Sequence, residues 1–223
     1  MKSWAFLLLF ALLPVAHASS NELDRCSTTG ENTVWQIVRG NPLHITETKI
    51  LKGNSALPDD ALTNAVIFGY KDLIYKLLKN HTLVLQHGGN ALSAAASMGR
   101  IDITRILIGN GISANALNEN GTTALFEAVV YGCTDELAFL VTHGANINYR
   151  PNNQHATLMV AAFAERHYQT AAALLQNGYK ATQGEIRKIK TIITKRDGGD
   201  DVNGALVYEY LFPTHKTKDK SSD

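Results

Sequence analysis

One pattern constrains this 223-residue chain more than any other: a single block returns along it with its apolar pairs and glycines in the same places. The clearest copy spans Asn118 to Asn148, NENGTTALFEAVVYGCTDELAFLVTHGANIN. Asn118-Glu119-Asn120-Gly121 is turn chemistry, because Asn and Gly accept positive φ. Thr122 or Thr123 is placed to cap a helix, and Leu125, Ala128 and Val129 share one face of it. Gly132 stops that helix. Leu137, Leu140 and Val141 mark a second one, and Gly144 follows where a left-handed C-cap belongs. Neither helix is long enough to be stable alone, so the unit needs copies of itself to pack on.

The copies are present. Ala124-Leu125 returns one period earlier as Ala91-Leu92 and one period later as Thr157-Leu158, and Ala61-Leu62 lies a slightly shortened period before Leu92. Gly132 returns as Gly99 and Gly69, with Glu165 in its place in the last copy. Leu140-Val141 returns as Leu107-Ile108, Leu77-Leu78 and Leu174-Leu175, and Gly144 as Gly111 and Gly178. This alignment puts one extra residue between Leu158 and Leu174.

Asn120-Gly121-Thr122-Thr123-Ala124-Leu125 and Gly144-Ala145-Asn146-Ile147-Asn148 resemble the ankyrin repeat, with Ala124 and Phe126 where that family favours Pro and His. The resemblance covers roughly residues 59 to 181. It implies an all-α ankyrin-repeat solenoid of about four helix-turn-helix repeats with helical caps at both ends. The family shares no chemistry, so the fold alone does not set the function.

Around the repeats, residues 1–18 read as a signal peptide: Lys2, an apolar run from Trp4 to Val15, and the small-residue exit Ala16-His17-Ala18. A membrane anchor is the alternative, but the run falls short of the ~20 apolar residues a span needs. Removing Lys2 leaves 21 − 1 = 20 basic against 20 acidic side chains, which gives no general pull toward nucleic acid. Residues 19–58 are read as a loosely docked segment and N-terminal cap, because a terminal repeat must cover its apolar side. In residues 182–213, Thr182 with Glu185 starts a capping box, and two helices cap the far end. Residues 214–223 are read as a disordered tail. Cys26 and Cys133 are the only cysteines. In an exported protein they either form a disulfide or stay as two unpaired thiols.

The sequence carries no G-x-S-x-G, H-E-x-x-H, phosphate-cradling glycine loop or C-x-x-C, so no enzyme, cofactor or metal is expected. Asp197-Gly198-Gly199-Asp200-Asp201 lacks the ligand spacing of a calcium loop and reads as a turn. The positive feature is a surface. The family resemblance places the residues just before the mid-repeat Gly on the concave face, where Phe68, Met98, Val130 with Tyr131, and Phe163 form an apolar row. Such a row marks a protein partner site; the alternative is sideways packing between repeats. The turn tips would add a polar rim from Gln86, His87, Glu119, Asn120, Tyr149, Arg150, Asn152 and Asn153. The expectation is a monomeric, exported protein that blocks or holds another protein, most concretely a periplasmic immunity protein against a toxic effector. A periplasmic scaffold supporting an enzyme such as a catalase, or a secreted factor acting on a host protein, is the alternative.

Overall fold

The computed structural model describes residues 60–150, 156–195 and 202–213. The described residues form helices in sequential pairs: α1 (Ala61–Phe68) with α2 (Lys71–Leu77), α3 (His81–Ser97) with α4 (Ile101–Gly109), α5 (Ala124–Val130) with α6 (Thr134–Thr142), and α7 (Leu158–Ala164) with α8 (Tyr168–Gln176). A last pair follows, α9 (Gln183–Lys195) and α10 (Val202–Leu211). The first helices stack as an inner row in which α3 lies between α1 and α5, and α7 between α5 and α9. Of the second helices, α4, α6 and α8 stack behind them, and α10 touches α8 and α9.

The stack is held by the apolar positions that recur in the sequence. Leu62, Leu92, Leu125 and Met159 from the inner row are essentially inaccessible, as are Leu107, Leu140 and Leu174 from the outer row. Removing a side chain of this size from water contributes roughly 2 kcal/mol. A second device ties the turns together. Asn115 accepts the amide hydrogen of Asn146 through Oδ1 at 2.7 Å and donates through Nδ2 to the Gly144 carbonyl at 2.8 Å. Asn148, one repeat further on, accepts from the Lys180 amide at 2.9 Å. Each Asn thus satisfies a backbone group in the next repeat that would otherwise need water.

Before α5 the turn forms as the sequence predicts. Leu117 bridges Thr123 in antiparallel fashion. Asn118 Oδ1 accepts the amides of Asn120 and Thr122, both at 3.0 Å. Thr123, not Thr122, is the cap: its hydroxyl accepts from the Phe126 amide at 3.3 Å. Before the second repeat the outcome differs. The turn expected near Gln86 and His87 is absent, and α3 runs unbroken for 17 residues. Asn80 starts it, accepting from the Leu83 amide at 3.2 Å. The glycines inside this helix, which suggest a turn in sequence, serve close approach: a Cβ on Gly89 would stand 2.0 Å from the Leu117 carbonyl oxygen. At the other end Thr182 and Glu185 form the capping box their spacing predicts, at 2.7 and 3.2 Å.

Candidate functional site

A groove of about 450 Å³ opens between the inner helices and the turn before α5. Asp60 and Thr63 contribute from the start of α1, and Asn118, Glu119 and Asn120 from the turn. Helix α3 supplies one wall through His87, Asn90, Ser93, Ala94 and Ser97, and α5 supplies Glu127 and Tyr131 at its end. His87, Asn90, Ala94 and Ser97 are spaced three, four and three residues apart, which puts them on one helical face. Because α3 continues where a turn was expected, that face extends far enough to bring His87 and Asn90 opposite Glu119.

The groove is held in shape by internal bonds. Asn90 Oδ1 accepts the Glu119 amide at 2.8 Å, pinning the turn to α3. Glu127 Oε1 accepts from the Thr122 hydroxyl at 2.7 Å and from Asn118 Nδ2 at 3.3 Å. Asp60 accepts from Asn64 at 2.8 Å. Ser93 is 5% exposed and its hydroxyl oxygen has no partner among the described residues.

The residues singled out by sequence fall into separate groups. His87, Glu119, Asn120 and Tyr131 line this one groove. Phe68 and Met98 are half-buried, Phe68 stacked on Tyr70 at 6.0 Å between ring centroids. Val130 is half-buried against the core. Gln86 is exposed on α3, not on a turn tip. Tyr149 is half-buried and donates its hydroxyl to the Gly121 carbonyl at 3.2 Å. Arg150 is engaged within the chain: it donates to the Lys180 carbonyl at 3.0 Å, meets Glu185 at 3.4 Å and lies over the Tyr179 ring at 4.7 Å. It fastens the fourth turn to the last helix pair rather than standing free on a rim. Asn152 and Asn153 lie outside the described residues.

Phe163 requires a correction. It is 1% exposed and packs against Tyr168 and Phe212, at 5.6 and 6.4 Å between centroids. The cause is register. Thr157 precedes α7 as Thr123 precedes α5, and Arg166, at φ 63°, takes the left-handed position that Gly132 holds at φ 75°. The step into the last repeat is therefore one position longer than the step before it, and the extra residue lies ahead of Thr157. Phe163 then corresponds to the core residue Val129, and Glu165 corresponds to Tyr131.

Cys133 is 1% exposed and disulfide-bonded. Cys26 lies outside the described residues. Among the described residues no group of three His, Cys, Asp or Glu side chains is placed to hold a metal. No described helix is long and apolar enough to cross a membrane.

Sequence reasoning missed Asp60, Thr63, Asn90, Ser93 and Glu127. The polar stripe of α3 was readable from its spacing, but the expected turn at Gln86 and His87 cut it in two.

Comparison with known proteins agrees with the stack. Residues 106–184 match a family model described as ankyrin repeats (3 copies). The chain is 42% identical over 66 residues to an ankyrin repeat-containing protein of Schizosaccharomyces pombe, covering 30% of this chain and 32% of that protein. It is 30% identical over 104 residues to BCL-6 corepressor-like protein 1 of Homo sapiens, covering 45% of this chain and 6% of that protein. The chain thus spans a third or less of the curated relatives it matches. The matched stretch begins within α4, after the helix that departs from the repeat pattern. Matched residues and helix pairs together make the fold an all-α stack of ankyrin repeats.

Proposed function

We propose that the chain is an exported, non-catalytic module whose groove holds and blocks another protein, acting as an immunity protein that neutralises a toxic effector in the periplasm. The observation that carries the binding role is the preformed groove. Its turn is pinned to α3 and its Glu127 is held by Thr122 and Asn118, so little ordering remains to oppose association. Stacked repeats present such surfaces as their shared device, and repeats of this kind are typically protein-binding and not catalytic. The export step is supported by the leader pattern in residues 1–18.

The test is a pull-down from periplasmic extract with the mature chain, followed by identification of the stable partner. Deleting the gene should then sensitise cells to that partner, and restoring the exported chain should protect them. A partner that is a resident enzyme needing the chain for activity would replace immunity with a supporting role. Unchanged partner affinity in a His87→Ala, Tyr131→Ala double variant, both residues of the groove lining, would remove the groove from the binding role altogether.

A further inference from the structure

We infer that the groove accepts a lysine- or arginine-bearing segment of the partner protein; this rests on the groove being the partner site. The groove is acidic on three separate elements: Asp60 at the start of α1, Glu119 on the turn and Glu127 on α5, with no Lys or Arg in its lining. This is local, because the chain as a whole carries 21 basic and 20 acidic side chains.

The bonds that orient these carboxyls come from neutral groups. Asp60 is met by an amide, and Glu127 by a hydroxyl and an amide. Such donors fix position without cancelling charge, so the negative potential of the groove stays available to a cation. Ser93 adds an independent sign. Its hydroxyl oxygen, on the groove wall and 5% exposed, has no partner among the described residues. A buried hydroxyl without a partner is unfavourable, and an entering donor that reaches it relieves that cost. A Lys ammonium carries three donors and a guanidinium five, and neither accepts a hydrogen bond. Both match a lining rich in carboxyl and amide oxygens. An acidic segment or a nucleic acid meets like charge there.

The test uses the full mature chain and two labelled probes, an octapeptide of alternating Lys and Ser and its counterpart with Glu for Lys, read by fluorescence anisotropy at low salt. The Lys peptide should bind at least about tenfold more tightly than the Glu peptide. Its affinity should fall as salt shortens the Debye length from ~20 Å toward ~8 Å. The Glu119→Gln, Glu127→Gln double variant should lose about tenfold in affinity for the Lys peptide while keeping its helical circular dichroism. Gln retains the acceptor oxygen used by Thr122 and Asn118, so the turn survives. No binding of the Lys peptide, equal binding of both peptides, or indifference to the double variant would overturn the inference. With the natural partner in hand, weakening by His87→Ala, Tyr131→Ala but not by the Glu variants would sink the cationic segment and leave the groove as the site. Indifference to both pairs would sink both.

Discussion

Glu136 gives the sharpest test of how this stack is built. It lies on α6, 1% exposed, with neither carboxyl oxygen hydrogen-bonded. The corresponding residues in the other repeats are Leu73, Ile103 and Thr170, all buried, so Glu136 places a carboxyl where the fold expects an apolar or small side chain. Burial pushes its pKa up from 4.5 to about 7. The Thr104 hydroxyl beside it, though short of hydrogen-bond geometry, pulls the other way, and Asp102 adds a smaller push. In the unfolded chain the group ionises near 4.5, and in the folded chain near 7. Between those values the unfolded state releases the proton and the folded state keeps it, so folding stability falls as pH rises. One pKa unit is worth about 1.4 kcal/mol, so the loss totals about 3 kcal/mol and is complete above the folded pKa. Asp102 and Glu185, whose pKa values are lowered, push stability the opposite way. The quantity to measure is therefore the difference between the wild type and a Glu136→Gln variant, by chemical denaturation followed by circular dichroism. Relative to Glu136→Gln, the wild type should lose about 3 kcal/mol between about pH 4 and pH 8. A difference constant to within about 0.5 kcal/mol over that range would show that Glu136 does not titrate as a buried, unpaired acid.

Further outcomes follow from the packing. Gly89→Ala should destabilise by about 3 kcal/mol or prevent folding, because the added Cβ meets a backbone carbonyl and no flexible side chain can yield; a neutral melt would refute the close approach of α3 to the turn. Phe163→Ala should cost about 3–5 kcal/mol of stability by emptying the contact with Tyr168 and Phe212, and affect partner affinity only through folding. Non-reducing peptide mapping should return Cys133 joined to Cys26, and reduction should lower stability by about 4 kcal/mol given the length of chain enclosed. A Cys133 peptide joined to a second copy of the chain would overturn that pairing.

The repeat architecture was legible because it is written redundantly. Apolar pairs such as Leu107-Ile108 and Leu140-Val141, and left-handed glycines such as Gly99 and Gly132, mark the same places in successive units, so an error at one position is corrected by the others. What was not legible depends on single residues. Gly88 and Gly89 look like turn residues, yet the same lack of a Cβ that permits a turn also permits a helix to touch a neighbouring backbone. Sequence alone does not separate the two uses, and the choice decided whether His87 stood on a loop tip or on the wall of the groove.

The misplacement of Phe163 shows how little separates a surface residue from a core residue in such a stack. Anchoring the last repeat on Thr157-Leu158 instead of Thr157 as the residue before the helix shifts the alignment by one position. On an α-helix one position is a rotation of about 100°, enough to carry a side chain from the groove to the interior. The Leu174-Leu175 pair and Gly178 already stood at the longer step from Leu140-Val141 and Gly144, so α8 and the turn after it were in the correct register all along. Only the short helix α7 was displaced, because Leu158 offered an apolar residue that mimicked Leu125 while Met159 occupied the true position. With that step restored, the residue of the last repeat that corresponds to Tyr131 is the exposed Glu165, which lies outside the groove lining, so the apolar row read from the sequence does not continue into the last repeat.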